Sequence, residues 1–384
     1  MNKRGRLISM KRIGINCLSY ESKHRCGAEE VLYNLCRGFW ELEVEAKLVF
    51  FCYDYMKSII EKIYPKAEFV IFKDDLSPKH KFLNILKVQT FQFYKIYKKY
   101  DLDLIFFPQC GVGLLKYNIP IIVLPHDIQN VSKPENFKNL KFNNIRYMFF
   151  KWFYHNDFRI ANRIIAISQI DKQEIIRCYP KYEYKIELIY NPIFIKNLSN
   201  IDYDKCNYIL ATNIQYEHKN IITLIKAFEI FLETKPEYEL FLVGKESHHT
   251  EKLKQYVVEK KLEEKIHFTG FIARDELEKI WKKTRLYVNP SLYEGFGMTS
   301  VESIILGAPT LLSNIDVNRE VTEGLCNYYD DIRSESSLAK SMLEIVGRQI
   351  EQSVLEDNRI RLVEKYSYKS ISNKYWDIMQ ELIN

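Results

Sequence analysis

Short apolar runs of strand length alternate with helical patterns along this 384-residue chain, and that alternation limits its folds more than any other feature. In the first half the runs are Arg12–Leu18, Ala46–Tyr53, Glu68–Phe72, Leu102–Phe107, Pro120–Leu124, Asn162–Ile167 and Lys185–Tyr190. Nearly every position in them is apolar, as expected for strands buried on both faces of a parallel sheet. Between them, Ala28–Trp40 places Val31, Leu32, Leu35 and Phe39 on one helical face. Phe142–Ile160 does the same with Ile145, Phe149, Trp152 and Phe153, and this face is expected to be core. Strand and helix in alternation mean βαβ units.

The pattern breaks at Asn191-Pro192, and residues 193–206 are polar and poorly periodic, which suits a linker. It then restarts, with strands at Tyr208–Ala211, Tyr238–Val243, Lys265–Thr269, Arg285–Val288 and Thr310–Leu312. Helices are expected at Ile221–Glu233, Thr250–Lys260, Asp275–Lys283 and Thr299–Leu306. The reading is α/β: two Rossmann-like, doubly wound domains facing across a cleft. The boundaries are 1–192, a linker 193–206, a second domain 207–365, and a last helix 366–384 crossing back to the first. Ligands of such sheets bind outside the carboxyl ends of the strands.

Composition narrows the class further. With 47% hydrophobic and 28% charged residues the chain is globular rather than disordered. Its eight cysteines form no C-x-x-C pair and no zinc spacing, so they read as free thiols of a reducing compartment. No apolar run is long enough for a transmembrane helix, and the basic N-terminus leads into no signal-peptide core. Met10 opens a natural first strand, so the nine residues before it read as an upstream start or an extension. The net charge of +6 is uneven. Residues 1–190 carry 31 Lys/Arg against 20 Asp/Glu, which leaves the remainder five negative. A basic first half suits a polyanionic or membrane-bound partner.

The segment richest in chemistry runs from Pro290 through Glu294-Gly295-Phe296-Gly297-Met298-Thr299 to Glu302, then Gly307-Ala308-Pro309. A strand ends, a glycine-rich turn follows, and a helix opens near Phe296–Thr299. Such a helix start offers unpaired backbone N–H groups and the positive end of the dipole, and a diphosphate fits there. Glu294 sits in the loop before the helix and Glu302 eight positions on, inside it; if helical phase held throughout, a turn of about 80° would project the two acids roughly toward one side.

These motifs resemble the retaining GT-B glycosyltransferases of family four, and the likeness covers nearly the whole chain. It implies metal-independent transfer of a hexose-type sugar from a nucleotide-diphosphate donor to a glycan or an undecaprenyl-diphosphate-linked acceptor. No cofactor is expected beyond the nucleotide sugar as co-substrate, and no nucleic acid. The resemblance assigns the donor sugar to Glu294, the ribose to Glu302, and phosphate contacts to Gly295, Phe296, Gly297, Met298 and Thr299. His218-Lys219-Asn220 before an L-I-x-A-F helix is similar to the family's basic segment, with Lys219 offsetting charge on the leaving phosphate. Phe271 and Ile272 fall where relatives meet the nucleobase. His126, in Leu124-Pro125-His126-Asp127, is identified with a sugar-pocket histidine, and Asp127 with its orientation or with the acceptor. Cys26-Gly27-Ala28-Glu29 resembles a G-G-x-E turn, with Gly27 near the donor phosphate and Glu29 on the acceptor side.

Two departures stand out. Relatives carry an arginine where this chain has Ala211-Thr212-Asn213-Ile214, so Asn213 or His218 is left to meet the second phosphate. Cys26 replaces the first glycine of the turn. They leave open a non-catalytic nucleotide-binding or scaffolding partner, or a GT-B epimerase. Asp101-Leu102-Asp103 has D-x-D form but sits at the amino end of a strand, away from the expected cleft, and is not taken as a metal site. The basic, aromatic stretch Lys79–Tyr100 is the expected contact with an anionic membrane. A cytoplasmic enzyme, peripheral on the inner leaflet and acting in surface-polysaccharide synthesis, is the resulting expectation.

Overall fold

The computed structural model describes residues 10–20, 27–73, 86–133, 143–196, 198, 201–349 and 351–384. They pack into two units, Met1–Pro192 with Tyr368–Asn384, and Ile193–Ser367.

The first unit is built on a seven-stranded sheet of order β3-β2-β1-β4-β5-β6-β7, with every pairing parallel. Its strands are β1 (Lys11–Asn16), β2 (Ala46–Tyr53), β3 (Glu68–Phe72), β4 (Leu104–Phe107), β5 (Ile121–Val123), β6 (Arg163–Ala166) and β7 (Ile186–Leu188). The main helices are α1 (Gly27–Glu41), α2 (Asp54–Ile63), α3 (Asn143–Ile160) and α4 (Gln169–Cys178). Ile105, Phe107, Ile121, Val123, Ile164 and Ala166 are fully buried, as their unbroken apolar runs require.

The second unit holds a parallel sheet of order β10-β9-β8-β11-β12-β13. Its strands are β8 (Cys206–Thr212), β9 (Glu239–Val243), β10 (Ile266–Gly270), β11 (Thr284–Asn289), β12 (Thr310–Ser313) and β13 (Asn327–Tyr329). The helices, in chain order, are α5 (Ile221–Leu232), α6 (His248–Glu259), α7 (Arg274–Lys283), α8 (Met298–Ile305), α9 (Asp316–Thr322), α10 (Glu335–Gly347) and α11 (Gln352–Lys365). In each sheet the strand order reverses at one point, between β1 and β4 and between β8 and β11. Loops leaving the carboxyl ends there diverge to opposite faces and open a crevice.

The final helix, α12 (Tyr368–Ile383), belongs to the first unit and lies on α1. A Cβ at Gly38 would collide with the Ser372 side chain and the Tyr368 carbonyl, so a glycine is what permits that approach.

Three features depart from the sequence expectation. The expected linker is part of the second unit: Ile193 N–H donates to Tyr366 O at 2.9 Å, and Ile201 is buried against Gly307. Strand β13 was not expected, because three residues, Asn-Tyr-Tyr, carry no apolar run. Helix α3 buries Phe150, Phe153, Tyr154 and Phe158, while Ile145 is 66% and Trp152 44% exposed. Its inward face is thus rotated from the one the periodicity of Ile145, Phe149 and Trp152 indicates; a helix rich in aromatics all round does not reveal its buried side.

The stretch Lys79–Tyr100, expected to meet a membrane, is described only in part, and in that part Phe91 is 60% exposed. Lys79, Lys81 and Phe82 lie outside the described residues. Over the rest, a π-helical turn (Val88–Phe93) and a single α-turn (Tyr94–Tyr97) point Phe93 and Tyr97 into the core. There they meet Phe51, Phe107 and Tyr117, while Lys95, Lys98 and Lys99 face solvent. Among the described residues no helix is long and apolar enough to cross a membrane.

Candidate active site

The switch point of the second sheet brings two loops together. One leaves β8 and carries Asn213 and His218-Lys219-Asn220. The other leaves β11 and carries Ser291 to Gly297. The Leu292 N–H donates to His218 O at 2.8 Å and ties one loop to the other. Asn220, at φ +54°, ends the first loop in the left-handed region that asparagine tolerates. Its amide donates to Ile332 O, and its Oδ1 accepts from Thr223 Oγ1 at 2.8 Å.

Lys219 and Glu294 meet across the junction. Nζ stands 2.5 Å from Glu294 Oε1, and both residues are 8% exposed. The same oxygen accepts from Asn289 Nδ2 at 3.1 Å and stands 2.8 Å from Ser291 Oγ. Asn289 is the last residue of β11, and its amide also donates to Ser300 Oγ at 2.9 Å. The strand end, the loop and the following helix therefore fix one carboxylate. Burial raises the Glu294 pKa, but the Lys219 charge and its hydrogen bond outweigh burial, so the group is held below the ordinary carboxylate value.

Beside this pair α8 begins. Gly297, at φ +82°, turns the chain into the helix, and no side chain caps its first N–H groups. At a helix start those groups lack intrahelical partners and carry the positive end of the dipole. Asn318 backs the turn. Its amide donates to Ser313 O at 2.9 Å, and its Oδ1 is 3.7 Å from where a Gly297 Cβ would sit.

Glu302 lies one turn deeper and is 2% exposed. It is not a free acceptor: Arg274 of α7 reaches Glu302 Oε1 at 2.8 Å and Glu278 Oε1 at 3.1 Å. The sequence reading missed Arg274, and only its salt bridge to Glu302 reveals it. Phe271 and Ile272 follow β10; Phe271 is 63% exposed, with Lys245 Nζ 5.9 Å from its ring centre. Asn213 leaves β8 at φ +62°. His218 stacks on Tyr216 with ring centres 5.5 Å apart. Burial and then the Lys219 charge push its pKa down to about 4, so near neutral pH it adds no positive charge to a phosphate site.

In the first unit His126 follows β5 at φ +56°, a region uncommon for a side-chain residue and one where strain clusters at functional positions. Its Nε2 lies 2.9 Å from Pro108 O, which can only accept, so Nε2 carries the proton and Nδ1 is the acceptor. Burial lowers its pKa to about 4. Asp127 Oδ1 accepts from the Gln129 N–H at 3.2 Å and shapes the turn, while the Pro108 carbonyl orients the imidazole. Gly27 opens α1, where a Cβ would meet nothing within 4 Å, so the fold makes no demand for glycine there. Cys26 lies outside the described residues. Glu29 is 1% exposed, and its Oε1 accepts from Tyr55 OH at 3.1 Å. Asp103, of the D-x-D sequence, accepts from the Arg12 N–H at 2.8 Å at the amino end of β4.

Two neutral rings give a pH signature. Both His126 and His218 fall from 6.5 to about 4 on folding, so between those values the unfolded chain binds more protons. Their contribution is complete above pH 6.5 and is lost as pH falls toward 4, at roughly 1.4 kcal/mol per unit per ring. Glu294 adds a loss at lower pH, as its depressed folded pKa is crossed. Urea titrations of a His126→Asn/His218→Gln variant are expected to show a flatter stability profile from pH 6.5 to 4 than wild type. A parallel profile would contradict the neutral assignment.

Comparison with known proteins places this geometry. Residues 199–358 match the family profile described as glycosyl transferases group 1, and residues 26–196 match glycosyltransferase family 4. The chain belongs to the group 1 glycosyl transferases. An O-antigen chain mannosyltransferase, RfbU, of Salmonella typhimurium is 27% identical over 239 residues, 60% of this chain and 64% of that protein. O-antigen chain mannosyltransferase B of Escherichia coli is 27% identical over 51% of this chain and 53% of its own length. The chain thus spans less than two thirds of these relatives. Among solved structures, Anabaena HepE in complex with UDP and glucose has a TM-score of 0.72 at 17% identity, covering 97% of this chain and 100% of that one. Sucrose-phosphate synthase from Thermosynechococcus elongatus has a TM-score of 0.75 at 16% identity, covering 97% and 99%. These likenesses establish the GT-B fold.

Proposed function

We propose that this chain is a metal-independent, retaining glycosyltransferase that moves a hexose from a nucleotide-diphosphate donor to a glycan or lipid-linked acceptor in surface-polysaccharide synthesis. The observation that carries the proposal is the buried Lys219–Glu294 pair beside the uncapped start of α8, at the switch point of a group 1 glycosyl transferase. The donor diphosphate takes the α8 N–H groups and draws Lys219 toward itself. Glu294, released from the lysine but still held by Asn289 and Ser291, then accepts from sugar hydroxyls. Glu302, steadied by Arg274, takes the ribose. In the first unit, His126 Nδ1 accepts from a sugar hydroxyl. On this reading the leaving phosphate takes the acceptor's proton, and no side chain acts as covalent nucleophile.

The relatives are named as mannosyltransferases, and one structural neighbour binds UDP and glucose, so mannose and then glucose are the first donors to test. A thermal-shift series with UDP, GDP, dTDP and ADP, with and without EDTA, tests the donor site. One nucleotide is expected to raise Tm by mass action, indifferent to EDTA, and to lose that effect in Lys219→Ala. Stabilisation that survives the substitution would place the diphosphate elsewhere. No stabilisation by any nucleotide would favour a scaffolding partner instead.

A further inference from the structure

Helix α3 is finished on one side and bare on the other. Inward, Phe150, Phe153, Tyr154 and Phe158 enter the core, and Asp157 accepts from the Gly111 and Val112 N–H groups at 2.7 and 3.0 Å. Outward, Ile145 is 66%, Met148 69% and Trp152 44% exposed. Their spacings of three and four residues put them on one stripe along the helix. Arg146, Lys151 and Arg159 are exposed beside it, and the helix's one acid, Asp157, is fully buried on the other side. The outer face therefore offers an apolar stripe, including a tryptophan, and the charged side chains that the helix itself exposes beside it are basic.

We propose that this outer face of α3 is a docking surface for an anionic lipid bilayer. An amphipathic helix of this kind sinks its apolar stripe to the level of the headgroups while its basic flank meets anionic lipid. Tryptophan is favoured at that depth because one end of the ring is apolar and the other wants a hydrogen bond. Charge complementarity selects the bilayer over a protein surface of ordinary mixed charge: the exposed charges of the helix, Arg146, Lys151 and Arg159, are all basic, and residues 1–190 carry an excess of 11 positive charges. The inference is independent of the transferase reading, because it requires neither donor nor acceptor. It also moves the membrane contact from residues 79–100 to a helix the sequence places in the core.

Co-sedimentation with vesicles tests it, using phosphatidylcholine alone and phosphatidylcholine with phosphatidylglycerol. Binding is expected only with phosphatidylglycerol present, to weaken with salt, and to fall about fivefold in Lys151→Gln, the effect of one charge near an anionic surface. Brominated phosphatidylglycerol is expected to quench wild-type tryptophan fluorescence and to lose most of that quenching in Trp152→Phe, where vesicle binding itself is largely retained. All these side chains are exposed, so the variants should melt like wild type, which melting curves check directly. Equal binding to neutral vesicles, no binding at all, or unchanged quenching in Trp152→Phe would overturn the proposal. So would a stable oligomer in solution that shields Trp152 from a soluble quencher. Because the vesicles carry no sugar nucleotide, none of these outcomes bears on whether the chain is a transferase.

Discussion

Replacing Lys219 by Met is expected to lower kcat by about 10²–10³-fold, the usual cost of removing one charge-stabilising donor from a preorganised site. The substitution keeps the length of the side chain and removes only the ammonium. In the unliganded protein that ammonium lies on Glu294 Oε1 at 2.5 Å, buried and away from bulk water. A diphosphate at the α8 start adds negative charge where the helix dipole already favours it. As the glycosidic bond breaks, charge grows on that phosphate, and Lys219 is the nearest cation the loops provide. A loss confined to KM would instead mean that the lysine binds donor and transition state equally well. The rate should be measured with the nucleotide sugar selected by the thermal-shift series and expressed per folded enzyme. The anomeric configuration of the product, followed by NMR at early times, tests retention separately. An inverted product would remove the retaining reading and leave the role of Lys219 to be judged on rate alone.

The same pair governs stability, and here the largest effect is expected from Glu294. Glu294→Ala leaves the Lys219 charge buried with its main partner gone, and also strips acceptors from Asn289 and Ser291. Breaking a buried ion pair from one side costs about 3–5 kcal/mol, because the survivor keeps its desolvation penalty. Removing both charges with groups of similar volume costs far less. Urea unfolding of Glu294→Leu, Lys219→Met and the double variant should therefore show strong non-additivity, with the double more stable than Glu294→Leu alone. Simple addition of the two single effects would mean that the pair is hydrated enough to act as a surface contact, worth about 0–1 kcal/mol. A further consequence concerns the ligand. If the donor diphosphate separates Lys219 from Glu294, saturating nucleotide should stabilise wild type and leave Lys219→Met nearly unchanged, which links the stability cycle to the kinetic one.

The missing family arginine bears on both results. Neither Asn213 nor neutral His218 supplies a positive charge after β8. Arg274 is engaged by Glu302 and Glu278. Lys219 and the α8 dipole are then left with most of the phosphate charge, which is why the kinetic loss on removing the lysine is placed at the level of a principal donor.

Much of the architecture was legible in the chain. Ala46–Tyr53 and Glu68–Phe72 are strands with the bounds their apolar runs indicate, because short runs rich in β-branched and aromatic residues favour strand and end where turn and helix residues begin. The left-handed Gly297 and the helix opening at Met298 follow from a glycine-rich turn after a strand. Other features were hidden for definite reasons. Asn327–Tyr329 pairs with β12 through its backbone, and three residues carry no period to read. The inward face of α3 was obscured because aromatics occupy both of its sides. Glu29 had the pattern of a surface acid at a helix start, yet Tyr55, from a helix 26 positions on, receives it in the interior.

The residue sequence alone specified two parallel-sheet units and which loops carry Lys219, Glu294 and His126, because periodicity, glycine placement and helix-start chemistry are local properties. Only the tertiary structure decided what each of those groups faces. The strand order of the second sheet sets the β8 and β11 loops side by side and so turns a lysine and a glutamate 75 positions apart into one buried ion pair. The placement of the α7 start gives Glu302 its arginine, and the Pro108 carbonyl decides which nitrogen of His126 holds the proton. Partner, protonation and burial depend on segments distant in sequence, and those distances are set by the fold.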